Sequence, residues 1–175
     1  TVGGAVFPGH PLAASQEEME QLIGYSRDIE ASRAKARALL KEAGVPEGFQ
    51  FIFNNRGVDQ PYKVVGTWLV DQWRRIGLDP QQTVKPSPQF YDTLRKKGDF
   101  DVSIDFNCQS VINPIADVSK FLCSAGNNYS NCESQEIEDL YDSLMRAATL
   151  DEQRALMRQY EKAALDRAGG AFTLW

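Results

Sequence analysis

Several patterns that mark common enzyme classes are missing from this chain of 175 residues. It has one histidine, His10, and three cysteines without the close spacing of zinc ligands. A serine or cysteine hydrolase needs an imidazole base, but His10 lies among glycines and prolines, where a turn is its ordinary role. The paired glycines have neither the lysine nor the spacing of a phosphate-binding loop. We therefore predict no enzyme, no metal and no cofactor.

Strong charge of one sign and long apolar runs are also missing. The 24 acidic and 19 basic residues are interspersed, without the basic stripe that nucleic acids require. No apolar run approaches the roughly 20 residues of a membrane-spanning helix. The first residues have no features of an export signal, and the last five, Ala171–Trp175, form an apolar run. The charge pattern therefore predicts no binding of nucleic acid. The two ends lead us to expect that the chain is a piece of a longer protein.

The elements that are present alternate between helix and strand. Such alternation favours an α/β fold with a largely parallel sheet covered by helices. We place the cap of the first helix at Ser32 and its end at Gly44, because serine and glycine are common at these positions. The predicted elements of this part are Ser32–Ala43 (helix), Phe49–Phe53 (strand), Pro61 to about Ile76 (helix), Leu78–Val84 (strand), Gln89–Lys97 (helix) and Asp101–Phe106 (strand).

The second of these helices carries Trp68 and Trp73, which we place together on a buried stripe. The remainder is mostly helical, and we expect Asp151 to cap the last helix. The other predicted helices are Ile115–Leu122 and Glu133–Ala148. We divide the chain into a partly irregular lead-in, residues 1–31, and an α/β ligand-binding lobe, residues 32–175.

Polar side chains follow two of the predicted strands. Ligands of open α/β folds lie outside the carboxyl ends of the strands, so these loops form a candidate ligand edge. Solvation of the loops explains the same residues equally well. Asp99 and Asp101 could be taken as a pair of catalytic carboxylates. The more ordinary interpretation is that Asp99 lies in a turn and that Asp101 begins the strand. The candidate ligand-binding residues are Arg56, Gln60, Tyr62, Asn107, Gln109 and Ser110.

The cysteines leave two possibilities open. Cys123 and Cys132 flank a turn-rich loop, and a disulfide closing it would contribute about 2–3 kcal/mol in the chain-entropy model. Spacing alone does not separate this disulfide from two unrelated thiols. Cys108 is either a small buried side chain or a thiol on the ligand edge.

Five segments in sequence order resemble the family 5 extracellular solute-binding proteins of bacterial ABC transporters, in their peptide-binding group. The resemblance covers about residues 32–175, most of the second lobe of such a protein. Each segment is weak evidence by itself, and their shared order makes the resemblance specific. The segments are Lys35–Gly44, Trp73–Leu78, Gly98–Val102, Asn127–Ser130 and the set Asp151, Arg154 and Tyr160.

The resemblance implies one lobe of a periplasmic binding protein type II-like fold, with a mixed, mostly parallel sheet. It implies a two-lobed binder, exported by a signal peptide of the full-length protein, that closes on a small peptide and delivers it to an ABC permease. The partners would be the missing first lobe and the permease. The location would be the periplasm or another extracytoplasmic site, with or without a lipid anchor. The family also implies a Cys123–Cys132 disulfide, which suits an oxidising compartment.

Three positions depart from the peptide-binding pattern. Where peptide binders have an aromatic residue and then an acid for the amino group, this chain has Asn107 and Ser110. Gln60 stands where some dipeptide binders have an arginine for the carboxylate. A buried ammonium without a counter-charge is costly, so a capped or longer peptide, an opine or an oligosaccharide fits as well. A sensory or interaction module that reuses the lobe is the alternative from another class.

Overall fold

The computed structural model describes residues 3–22, 24–96, 98–106, 108–110, 112–130 and 132–171. The chain forms two compact units. The first combines Thr1–Arg27 with Asn107–Trp175, and the second is the continuous stretch Asp28–Phe106. These limits differ from the predicted boundary between residues 31 and 32, and the extent of the ligand-binding lobe stays a prediction.

The second unit is a three-stranded parallel sheet with helices between its strands, as the α/β pattern predicts. Its strand order is β2-β1-β3, and β1 pairs with β2 from Phe49 opposite Leu78 to Arg56 opposite Lys85. The helices of this unit are α2 (Ile29–Glu42), α3 (Val64–Arg74) and α4 (Ser87–Arg95), and the strands are β1 (Phe49–Arg56), β2 (Leu78–Lys85) and β3 (Val102–Ser103).

Two predicted strand lengths were wrong. Asn54–Arg56, which we assigned to a loop, continues β1, whereas β3 covers only Val102 and Ser103 of the predicted Asp101–Phe106. The N–H of Asp101 donates to Ile52, and that of Ile104 donates to Asn54. The next N–H of β1 along this edge, that of Arg56, donates to the Asn55 side chain instead of to β3. Among the described residues, the paired positions of β1 and β3 are Phe53 with Val102 and Asn54 with Ser103.

Two predicted helix caps were also wrong. Asp28, not Ser32, caps α2, because its carboxylate accepts the N–H of Ala31. Gly44 follows α2 with φ +71°, as predicted for the left-handed position after a helix. The last helix, α7 (Leu150–Asp166), is capped by Thr149 rather than Asp151. Thr149 and Glu152 form a reciprocal capping box, a spacing that the sequence itself contains.

Helix α3 separates the two tryptophans that the sequence analysis placed together. Trp73 packs edge-on against Phe51 and Phe53 of β1, with ring centroids 5.1 Å apart in both pairs. Trp68 is 57% exposed, so its placement in the core was wrong. Residues five positions apart on a helix point about 140° from each other, so only one of the two can face the sheet. Pro61 precedes α3 in the turn Asp59–Lys63, in which the backbone of Gln60 is extended (φ −113°, ψ 132°).

The first unit contains a mainly helical apolar core. Its helices are α1 (Gln16–Glu20), α5 (Pro114–Asp117), α6 (Gln135–Arg146) and α7, and a 3-10 turn, Val118–Phe121, follows α5. Tyr160 is fully buried, and its hydroxyl donates to the carbonyl of Val118 at 2.8 Å. The buried core residues are Ala5, Val6, Leu12, Ile115, Val118, Leu122, Ile137, Leu144, Met157, Tyr160 and Ala164.

The chain near its amino terminus is held against α7 by a buried carboxylate. Glu161 is 1% exposed, and its Oε1 accepts the N–H of Ala5 at 2.7 Å. Arg158 pairs with Glu161 Oε2 at 3.1 Å and also donates to the carbonyl of Leu12. A Cβ on Gly4 would overlap with the Glu161 carboxylate. Ala5, Val6 and Leu12 are therefore part of the core of this unit, although the segment that carries them forms no regular element.

The described residues contain neither a membrane-spanning helix nor a cluster of metal ligands. None of the described helices has both the length and the apolar character needed to cross a bilayer. In the same residues, no group of three or more histidine, cysteine, aspartate or glutamate side chains is arranged to hold a metal ion.

Candidate functional site

A polar cluster lies at the carboxyl end of β1. Arg56 is the last residue of β1 and pairs in register with Lys85, the last residue of β2. Ser87 begins α4 after the single residue Pro86 that follows β2, so the side chain of Arg56 meets the first turn of that helix. The Nε of Arg56 donates to Ser87 Oγ at 2.8 Å. This is the edge of a parallel sheet at which α/β proteins bind their ligands.

The guanidinium of Arg56 is held between two tyrosines. Its central carbon lies 5.1 Å from the ring centroid of Tyr62 and 5.2 Å from that of Tyr91, which is cation–π distance. Nη1 donates to both tyrosine hydroxyls at 3.4 Å, beyond the usual range for a good hydrogen bond. The bond to Tyr62 is the main cause of the raised pKa of Arg56. The ring positions thus orient the guanidinium, while its bonds to the hydroxyls are weak.

Asp105 adds a negative charge behind Tyr91. The Tyr91 hydroxyl donates to Asp105 Oδ1 at 3.4 Å. Burial, and then the charge of Asp105, raise the pKa of Tyr91 to about 12, while Arg56 acts in the opposite direction. Tyr91 is therefore a neutral hydroxyl at physiological pH. Phe106 follows Asp105 and is 48% exposed. Its ring lies edge-on to that of Tyr62, with the ring centroids 6.4 Å apart.

Asn55 positions the turn that carries Tyr62. Its side chain is fully buried, its Nδ2 donates to the Tyr62 carbonyl at 3.0 Å, and its Oδ1 accepts the N–H of Arg56 at 2.8 Å. Gly66 of α3 leaves room for this amide, because a Cβ there would overlap with Asn55 Nδ2. One buried side chain therefore sets the backbone on both sides of the cluster.

The structure brings together two of the six predicted site residues, Arg56 and Tyr62. Gln60 is exposed, and the Gln60–Pro61 peptide bond is cis. Asn107 lies outside the described residues. Sequence reasoning missed Ser87, Tyr91, Asp105 and Asn55, because the first three come from other parts of the chain and Asn55 was assigned to a loop.

Gln109 and Ser110 belong to the other unit and bond to nearby backbone. Gln109 Nε2 donates to the Ala5 carbonyl at 2.5 Å, and its Oε1 accepts the N–H of Phe7 at 3.2 Å. Ser110 Oγ accepts the N–H of Asn113 at 3.3 Å, just before α5. Each side chain thus has a structural role, and ligand binding by either stays a prediction.

The cysteine pair implied by the resemblance is confirmed. Cys123 and Cys132 form a disulfide with Cα atoms 5.1 Å apart. Nη1 of Arg167, at the end of α7, lies 2.8 Å from Cys123 Sγ. Cys108 is a free, exposed thiol, so a buried packing role for it is wrong.

Comparison with solved structures shows the fold. The chain is similar to CtaP, an ABC transporter substrate-binding protein of Listeria monocytogenes (18% identity, TM-score 0.74, 95% of this chain and 33% of that one). It is also similar to Haemophilus influenzae OppA in complex with the peptide RPPGFSPFR (18% identity, TM-score 0.74, 90% of this chain and 31% of that one). A third similar structure is the murein tripeptide binding protein MppA of Escherichia coli (16% identity, TM-score 0.74, 83% of this chain and 29% of that one). The chain spans about a third of the length of these proteins, and the predicted type II-like fold is confirmed.

Sequence comparison gives a family but no individual relative. No curated protein matches the chain. The family model for bacterial extracellular solute-binding proteins, family 5 Middle, matches residues 3–129, which is well over half of the chain. This match shows that the chain belongs to the family 5 bacterial extracellular solute-binding proteins.

Proposed function

We propose that this chain is a ligand-binding part of an exported two-lobed protein that captures a small peptide and delivers it to an ABC permease. The protein binds its solute reversibly, without covalent chemistry, and works in the periplasm or at the outer face of the cell membrane. Family membership supports the binding role, and the peptide in the OppA structure supports a peptide solute.

The observation that carries this proposal is the Arg56 cluster. Its guanidinium, three hydroxyls and exposed aromatic edge meet at the carboxyl end of a parallel sheet. Binding sites commonly combine a mainly apolar lining with a few oriented polar groups of this kind. The cluster therefore suits a small solute with both polar and apolar parts, such as a peptide.

Native mass spectrometry of the complete gene product tests the proposal directly. The protein is purified without added solute, and any mass released on denaturation is fragmented. Released peptides would support the proposal. A released opine or oligosaccharide would overturn the peptide assignment and retain solute binding.

An empty protein requires a second measurement. A pool of tripeptides is added at millimolar concentration and thermal unfolding is recorded, because a ligand that binds only the folded state raises the unfolding temperature. If neither the tripeptides nor panels of opines and oligosaccharides raise the unfolding temperature, the result would contradict transport. It would favour a sensory or interaction module.

A further inference from the structure

We infer that the Cys123–Cys132 disulfide is a site of thiol–disulfide exchange, at which a dithiol reductant attacks Cys132 and releases Cys123. This inference goes beyond solute binding and does not depend on it. In such an exchange the better leaving group is the sulfur whose thiolate is more stable. The surroundings of the two sulfurs therefore decide which of them is attacked and which is released.

The two sulfurs face donors of different charge. Nη1 of Arg167 lies 2.8 Å from Cys123 Sγ, so this sulfur is next to a cation. The donor to Cys132 is neutral, because Nδ2 of Asn128 lies 3.6 Å from its Sγ. The same Nδ2 also donates to the Leu122 carbonyl at 2.8 Å, so it is shared. An adjacent guanidinium stabilises a thiolate more than a shared amide does, which makes Cys123 the better leaving group.

Arg167 has no acidic partner in the part of the chain that the structure describes. Its Nη2 donates to the carbonyl of Phe121 at 3.4 Å, a long bond, and its Nε is buried without a partner among those residues. A guanidinium whose bonds are so incomplete keeps its full charge for the sulfur beside it. The thiolate of Cys123 would therefore be its direct counter-ion once the disulfide opens.

The disulfide is within reach of a reagent in solution. Both cysteines are half-buried rather than buried, and most residues of the loop between them are exposed. Reactive cysteines are found in such partly exposed, electropositive surroundings, whereas fully buried ones are inert.

The exchange takes two steps. A thiolate of the reductant attacks Cys132 Sγ, which forms a mixed disulfide and releases Cys123 as a thiolate beside Arg167. The second thiol of the reductant loses its proton and attacks the reductant's own sulfur in the mixed disulfide, and Cys132 leaves and takes up a proton. Two electrons thus pass from the dithiol to the Cys123–Cys132 disulfide, and the reductant departs as a disulfide.

Hydrogen bonds hold the two ends of the loop together without the covalent link. Glu138 of α6 accepts the N–H of Ser124 at its Oε1 and the Ser124 hydroxyl at its Oε2, both at 3.0 Å. Ser124 directly follows Cys123, and α6 begins three residues after Cys132. The two thiols therefore stay close after reduction, and the disulfide can form again.

The position of a trapped mixed disulfide tests the inference. The complete gene product carries Cys108→Ser, because Cys108 is a free, exposed thiol. It is treated with 2-mercaptoethanol, which is neutral and has one thiol, and the reaction is stopped with N-ethylmaleimide before peptide mapping by mass spectrometry. The adduct on Cys132 should exceed that on Cys123 by about tenfold, since the more stable thiolate leaves faster.

Variants of Arg167 show whether its charge sets this preference. Arg167→Gln should bring the two adducts close to equal amounts and slow the reaction, whereas Arg167→Lys, which keeps the charge, should retain part of the preference. The control is Arg146→Gln, which removes an exposed cation at the far end of α6, where it pairs with Asp142. This control should leave the preference unchanged.

The wild-type result decides the matter even if the Arg167 variants do not fold. Equal adducts on the two cysteines, or more adduct on Cys123, would overturn the inference. An unchanged preference in a folded Arg167→Gln variant would also overturn it. So would a disulfide that reacts only at urea concentrations that unfold the protein, because the link would then be purely structural.

Discussion

The buried amide of Asn55 connects the strand of the candidate site to the turn above it. Both ends of this amide are bonded, one to the Tyr62 carbonyl and the other to the N–H of Arg56. A buried amide that loses one of these partners keeps its desolvation cost without compensation. Arg56 and Tyr62 therefore depend on a side chain that need not touch the solute.

Gly66→Ala should destabilise the protein by about 1–3 kcal/mol. The added methyl displaces Asn55 from the Tyr62 carbonyl, which outweighs the gain of up to about 1 kcal/mol in helix propensity. The free energy of unfolding is measured by urea denaturation. Gly126→Ala is the control, because a Cβ at Gly126 has no neighbour within 4 Å. Equal stability of the two variants would contradict the role assigned to Gly66.

Glu161→Gln should change how stability depends on pH. Burial raises the pKa of Glu161 above its ordinary value of 4.5, against the opposing effects of Arg158 and the bond from Ala5. The folded state then binds the proton more tightly, so this group stabilises the protein most below pH 4.5 and loses that contribution as the pH rises through the folded-state pKa. Relative to the variant, the wild type should lose stability over this interval.

Urea denaturation from pH 4 to 7 measures this difference. The exposed Glu136 supplies the control variant, Glu136→Gln. If the difference in the free energy of unfolding between wild type and Glu161→Gln does not vary with pH, Glu161 has the same proton affinity in the folded and unfolded states. That result would contradict the prediction.

The elements were predictable in order and type, but several of their ends were not. Alternation of Phe49, Phe51 and Phe53 identified β1, and Gly44 identified the end of α2. The short length of β3 was not predictable, because Ile104 and Phe106 continue the apolar alternation of a strand beyond Ser103. The partners of Arg56 could not be predicted either, because they are distant in sequence. Ser87 lies 31 positions from Arg56, and Tyr91 lies 35 positions away, so only the fold brings them together.

Asp28→Ala should cost about 1 kcal/mol of stability, because α2 loses the oxygen that accepts the N–H of Ala31. Ser32→Ala should cause no loss, since Ser32 lies inside the helix, where alanine is the better helix former. Urea denaturation of the two variants gives the comparison. A larger loss for Ser32→Ala would restore the helix start predicted from the sequence.

The whole molecule consists of one continuous unit and one discontinuous unit. Sequence reasoning treated residues 1–31 as a lead-in because they show no periodic pattern. In the structure Ala5, Val6 and Leu12 are buried in the same core as Ile137 and Met157. Irregular segments can therefore contribute fully to a core, and periodicity alone does not identify them.

Leu12→Ala should cost about 2–5 kcal/mol, the usual range for a buried leucine. Hydrogen exchange followed by mass spectrometry should show faster exchange in α6 and α7. Leu39→Ala is the matched control, because Leu39 is 46% exposed and its loss should cost little. Unchanged exchange in α7 of the Leu12 variant would show that the segment is not part of that core.

The division of the first unit between both ends of the chain sets an order of folding during synthesis. Ala5 and its partner Glu161 are 156 positions apart, whereas the bond between Ile52 and Asp101 in the other unit spans 49. At ribosomal rates, 156 residues correspond to roughly ten to thirty seconds. Throughout that interval the nascent chain carries Val6 and Leu12 without the helix that covers them. Chaperones and proteases can reach the nascent chain over the same period, so the first unit, not the sheet, is where slow synthesis would be most damaging.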